Sequence, residues 1–158
     1  MTDTAPRAAA GQRIVVLVAE DNQYDRLILQ EAFAELGLDI DLQFVSDGEE
    51  VLDYLRRRNG YAADDAAPTP TLVLMDLNMP RMNGHDAVRE IRADPILRVL
   101  PVIVLSTSDS PRQIAQAYAN GVNAFMTKPG RFEDFVDLLR GFHAFWFEHA
   151  RLPSLASS

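Results

Sequence analysis

Apolar and polar positions alternate along this chain in two periods. Ile14–Ala19 is apolar throughout, the pattern of a strand buried on both faces. After it, Asp21-Asn22 offers a helix cap. Ile28, Leu29, Ala32, Phe33 and Leu36 then make one helical face, which Gly37 closes. Ile40–Ser46 reads as a second strand. Asp47-Gly48 marks a turn before a helix over Glu49–Asn59 that carries Val51, Leu52 and Leu55. Its Arg56-Arg57-Arg58 end suits the helix dipole and reads as a solvated terminus. Gly60–Pro70, rich in Ala, Asp and Pro, is a loop.

The alternation continues with a strand over Thr71–Met75 and a short helix over Gly84–Ala93, stopped by Asp94-Pro95. Val102–Leu105 is the fourth strand, Ser110–Asn120 a helix ending at Gly121, and Asn123–Thr127 the fifth strand. Arg131–His149 reads as one long final helix. Five strands alternating with five helices predict an α/β fold, a doubly wound parallel sheet. Right-handed crossovers and a flavodoxin-like strand order 2-1-3-4-5 put the ligand crevice between strands one and three. The expected organisation is a flexible tail over 1–12, one domain over 13–150 and a C-terminal tail over 151–158.

Composition narrows the chemistry. The 158 residues suffice for one domain with a core, and the net charge of −8 argues against nucleic acid as a direct ligand. Without cysteine there are no disulfides, thiolate catalysis or cysteine-zinc sites. His85, His143 and His149 are too scattered for an obvious metal site. No apolar stretch nears the roughly 20 residues that span a bilayer, so no membrane contact and a cytoplasmic location are expected.

Charged groups follow three of the strands: Glu20-Asp21 after the first, Asp76 after the third, Lys128 after the fifth. Strand C-termini share one edge of a parallel sheet, so three carboxylates and one ammonium should converge there. Two carboxylates about 4 Å apart repel by about 4 kcal/mol at an effective dielectric near 20. Three together call for a cation, and an all-oxygen site suits a hard divalent ion such as Mg²⁺. That points to phosphoryl chemistry.

These residues carry a family resemblance. Val18-Ala19-Glu20-Asp21-Asn22, Leu74-Met75-Asp76-Leu77-Asn78-Met79-Pro80 with Gly84, Pro101–Ser106 and Lys128-Pro129 together resemble the receiver domain of two-component response regulators, over about residues 13 to 149. The loop at 60–70 and the aromatic final helix ending in Leu152-Pro153 look like the stand-alone regulators that pair with bacterial phytochromes. The resemblance implies that Asp76 is the phosphoacceptor, taking a phosphoryl group from a sensor histidine kinase. It implies direct Mg²⁺ contacts from Asp21, Asp76 and the Asn78 backbone carbonyl, with Glu20 reaching the metal through water. The longer Glu20 stands where many family members have Asp. Lys128 would neutralise a phosphoryl oxygen, and the Lys128–Pro129 bond would be cis. Ser106 would donate a hydroxyl; strand alternation lets only one of Ser106 and Thr107 face the site, and the position relative to Pro101 favours Ser106. Phe125 stands where the family has an aromatic switch residue, with a plain core role as the alternative. The implied protein is a phosphoacceptor rather than a turnover enzyme, acting as an interaction switch or phosphate shuttle, with no residues after 158 for an output module. The rivals are a phosphatase resembling the haloacid dehalogenase class, from which Asp76-Leu77-Asn78 departs by lacking a second acid, and a phosphorylation-independent binding module.

Read as one α-helix, the last segment has an apolar arc about twice the roughly 100° of a single buried face. Leu138, Phe142, Phe145, Trp146 and Phe147 are therefore expected at a homodimer interface.

Overall fold

Strands β1 (Ile14–Ala19), β2 (Ile40–Val45), β3 (Leu72–Met75), β4 (Val102–Ser106) and β5 (Ala124–Thr127) form one parallel sheet in the order β2-β1-β3-β4-β5. Helices α1 (Gln23–Glu35), α2 (Gly48–Arg56), α3 (Gly84–Ala93), α4 (Pro111–Asn120) and α5 (Phe132–His143) connect and follow them. The computed structural model describes residues 14–63 and 67–155. The tail expected over 1–12, and the last three residues of the one expected over 151–158, lie outside the described residues.

Strand alternation sorts the core into two layers. Val16, Val18, Leu72, Leu74, Ile103 and Leu105 face α1 and α5, where they meet Leu29, Phe33, Phe135 and Leu139. Leu17, Ala19, Val73, Met75, Val102 and Val104 face α2, α3 and α4, against Val51, Leu52, Val88, Ile91 and Ala117. Both faces of the sheet are thus covered, the requirement of a parallel sheet. Burying a leucine such as the fully enclosed Leu139 contributes roughly 1.5–3 kcal/mol.

The expected helix starts are made by side-chain caps. Asn22 accepts from Asp25 N at 2.9 Å, Asn83 from Asp86 N at 3.0 Å, and Ser110 from Gln113 N at 3.4 Å. Asp47, read as a turn residue, caps α2 by accepting from Glu50 N at 2.8 Å. That helix ends at Arg56, three residues before the expected Asn59. Arg57 takes a left-handed conformation (φ 58°), and the Arg58 amide reaches back to the Asp53 carbonyl at 2.9 Å. The arginines are not a free solvated end. Arg56 pairs with Glu90 and Asp94, Arg57 donates to Thr69 Oγ1, and Arg58 pairs with Asp53.

The 60–70 loop is tied down. Tyr54 Oη donates to the Pro68 carbonyl at 2.7 Å, Tyr61 hydrogen-bonds Glu50 and packs on Tyr54, and Ala67 is fully buried.

The single final helix is corrected. α5 stops at His143, and Ala144–His149 continues as a π-helix. Positions five apart diverge around an α-helix of 3.6 residues per turn, but stack in the wider π turn. Phe142 and Phe147 accordingly meet edge to face with centroids 5.7 Å apart. Both are buried, at 4% and 2% exposure, so neither lies on an open interface face. Leu138 and Trp146 are half-buried against the same core, and Phe145 alone of the five is exposed, at 54%. Beyond the π turn, Leu152 packs on the α1/α5 core and Leu155 on the opposite one. Among the described residues, no helix is long and apolar enough to cross a membrane.

Candidate functional site

The register of the sheet assembles the site. Ala19 pairs with both Val45 and Met75, so the residues after β1 and β3 emerge side by side. Ser106 pairs with Thr127, which brings Lys128 out beside the end of β4. Glu20, Asp21 and Asp76 each present a carboxylate oxygen within 4.8 Å of the others. Lys128 Nζ lies 2.8 Å from Glu20 Oε1 and 3.8 Å from Asp25 Oδ2. The expected three carboxylates and one ammonium do converge.

Their surroundings differ. Glu20 is buried and held on every side: Oε2 accepts the Asn22 amide at 3.2 Å, and its carbonyl accepts Arg26 Nε at 2.7 Å. Asp21 is exposed. Asp76 is intermediate, its own amide donating to the Ala19 carbonyl at 3.0 Å. Burial pushes the Asp76 carboxyl up to about 6; Glu20 adds repulsion, while Lys128 and the Asn78 and Leu77 amides oppose the rise. Asp76 is therefore mostly ionised at pH 7 but near its titration range, rather than firmly ionised as its type alone suggests. The cluster carries excess negative charge from all-oxygen donors, a set that fits a hard divalent cation.

The hydroxyls of Ser106, the last residue of β4, and Thr107, the next, point opposite ways, as alternation requires. Ser106 is fully buried on the face of Val104, and its Oγ accepts the Ser108 amide at 3.1 Å. Phe125 packs against that same core, so the structure brings Ser106 and Phe125 to one side of the sheet. Thr107 is exposed and lines the cavity beside Asp76 and Lys128. The Lys128–Pro129 bond is trans, the lower-energy isomer of an X–Pro bond, not the cis form the resemblance implied.

Two openings flank Asp76. On the α1/α5 side a cavity of about 260 Å³ is walled by Tyr24, Ile28, Leu105, Phe132 and Phe135, with Glu20, Asp76 and Lys128 at its base. On the α3/α4 side a cleft of about 720 Å³ is lined by Asp21, Asn78, Asn83, His85, Arg112 and Gln113. Sequence reasoning missed Thr107 as a cavity residue, Arg26 as the clamp on Glu20, and the Tyr24 and Phe132 walls. None belongs to a motif, and only the packing of α1 against the β5–α5 junction assembles them.

Comparison with known proteins agrees with this architecture. Residues 16–140 match the response regulator receiver domain model. The structure of response regulator RPA3017, in red light signalling of R. palustris, superposes with a TM-score of 0.86 at 49% identity, covering 89% of this chain and 99% of that one. The phosphorylated cyanobacterial phytochrome response regulator RcpA gives a TM-score of 0.82 at 35% identity, over 90% and 100% of the two chains. Response regulator Rcp1 from Synechocystis sp. is 31% identical over 89% of this chain and 93% of its own length. Its Mn²⁺-bound structure superposes at a TM-score of 0.79, covering 89% of this chain and 99% of that one. The match is to this family and not to the phosphatase class considered from Asp76-Leu77-Asn78. With its sheet order, its acidic strand ends and its motifs all in register, the chain belongs to the response regulator receiver domain family.

Proposed function

We propose that this chain is a phosphorylation-dependent switch in which Asp76 is the acceptor. The observation that carries the reading is the meeting of Glu20, Asp21 and Asp76 within 4.8 Å, with Lys128 against them. The Asp76 carboxylate attacks the phosphorus of a phosphohistidine on a sensor histidine kinase. The P–N bond breaks as the P–O bond forms, and the imidazole leaves with a proton. Asp21, Asp76 and the Asn78 carbonyl would hold Mg²⁺, with Glu20 reaching it through water. When bound, the ion supplies charge neutralisation for the phosphoryl oxygens. Lys128, already directed to the site by Glu20, offers its ammonium to one phosphoryl oxygen, and the Ser106 hydroxyl serves another after releasing the Ser108 amide. Phe125, on the same face as Ser106, reports that movement to the α4–β5 surface.

The likeness to RPA3017, RcpA and Rcp1 supports a phytochrome as the kinase. A second copy of this chain is the proposed partner at the π turn after α5, where Phe145 stays exposed beside Trp146. Phe145→Glu should then lower the apparent mass in sedimentation. The deciding experiment for the acceptor is intact mass after incubation with Mg²⁺ and acetyl phosphate. One phosphoryl adduct is expected in the wild type and none in Asp76→Asn; an adduct that persists in the variant removes Asp76 as acceptor.

A further inference from the structure

Three polar side chains are buried among the described residues. Glu20 and Ser106 belong to the site described above; Asp47, at 3% exposure, lies outside it. One Asp47 oxygen caps α2 through the Glu50 amide. A neutral Asn or Ser would do that as well. The other oxygen takes both Nε and Nη2 of Arg81, at 2.9 and 2.5 Å. A forked guanidinium on a nearly buried carboxylate fixes geometry as well as charge.

Arg81 sits in the loop between β3 and α3, in a left-handed conformation (φ 60°) that a residue with a Cβ seldom adopts. Beside it, the Gly48 amide donates to the Met82 carbonyl at 2.8 Å. The approach is so close that a Cβ on Gly48 would lie 2.6 Å from that oxygen. At the loop's base the Gly84 amide donates to the Leu77 carbonyl at 3.1 Å. Both flanks of the loop are thus pinned, and the stretch left between them is Asn78, Met79 and Pro80.

We propose that the Asp47–Arg81 pair, with the Gly48–Met82 bond, is a brace by which the start of α2 holds the 77–83 loop, so that Asn78 and Asp76 keep their position relative to Asp21. Asp47 and Arg81 are positioning residues: neither touches the reacting atoms. The assignment rests on the reading of Asp76 as acceptor and Asn78 as a metal contact.

Asp47→Asn and Arg81→Ala test it. Asn keeps the cap, but its amide nitrogen then faces the two guanidinium donors. Arg81 is mostly exposed in its side chain, so Arg81→Ala leaves the core untouched. Each variant should speed amide hydrogen exchange across 77–83 and weaken Mg²⁺ binding in calorimetry by about tenfold, the scale of lost outer-shell support. The double variant should lose no more than either single one, and Arg81→Lys should recover part, keeping the charge without the fork. Arg58→Ala, which breaks the Arg58–Asp53 pair at the far end of α2, should leave both readouts unchanged. Unaltered exchange across 77–83 in Arg81→Ala, additive losses in the double variant, or an equal effect from Arg58→Ala would each overturn the brace. A wild type that binds no Mg²⁺ and takes no phosphoryl group would instead overturn the acceptor reading, and the exchange measurement would still decide the brace.

Discussion

The two openings beside Asp76 are built from different materials. The α1/α5 cavity has apolar walls and a charged floor, with Lys128, Glu20 and Asp76 at its base. The α3/α4 cleft is nearly three times larger and mostly polar, and holds Asp21 and Asn78. Apolar walls exclude water and strengthen the charges at their base; a polar cleft keeps water for a hydrated ion. On the proposed function, the donor's apolar body and the metal reach Asp76 from opposite sides of the sheet. The exposed Tyr24 and Phe132 of the cavity wall suit a protein donor.

The largest effect should come from Asp76, which lines the cavity and lies within 4.8 Å of the cleft's Asp21. Asp76→Asn should abolish phosphoryl uptake and also stabilise the fold at pH 7. The folded carboxyl titrates near 6 and the unfolded one near 3.8, so above pH 6 both are ionised and the folded state bears the full cost. As pH falls from 6 to 4 the folded protein takes up the proton first and the wild type regains the difference. The gain in the Asn variant, about 1 kcal/mol after allowing for solvent screening of a partly exposed group, should appear in urea midpoints at pH 7 and vanish below about pH 4.

Next come the variants that separate the sides. Lys128→Ala should impair the phosphorylated state with Mg²⁺ affinity intact by calorimetry, and Asp21→Asn should weaken Mg²⁺ binding about tenfold or more, since it removes a charged oxygen. If both variants lose the same property, the division between the openings fails. A smaller effect is expected from the wall. Phe132→Ala should slow transfer from a histidine kinase about fivefold, as for an anchor at a protein interface, and leave acetyl phosphate labelling unchanged. Equal slowing with both donors would assign Phe132 to the chemistry. The finest test lies between neighbours. Ser106→Ala should reduce labelling or its readout while Thr107→Ala changes little; the reverse order would move the hydroxyl role to the residue that lines the cavity.

Much of this site was legible along the chain. Glu20-Asp21, Asp76 and Lys128 follow runs that read as strands, and parallel strands end at one edge. The cap at Asn22 was legible because a cap acts on an amide three residues away; those at Asn83 and Ser110 follow the same rule and appear in the structure. The end of α2 was not, because Arg57 takes a left-handed turn without a glycine to announce it. Nor was the Asp47–Arg81 pair, whose partners lie 34 residues apart on different loops.

The last helix marks the boundary most clearly. Its apolar residues read correctly as a packing surface, but the excess arc assumed 3.6 residues per turn to the end. The π turn at Ala144–His149 swings Phe147 onto Phe142 and leaves Phe145 outside. The sequence alone determined the α/β alternation and the charged groups at the strand ends, because each follows from periodicity and chain connectivity; the strand order came with the likeness to a known fold, and the sheet shows it. Tertiary structure decided the helical register at the end of the chain, the direction of the two hydroxyls and the raised affinity of Asp76 for its proton. Those depend on what packs against a residue from elsewhere in the chain, and no local pattern encodes that.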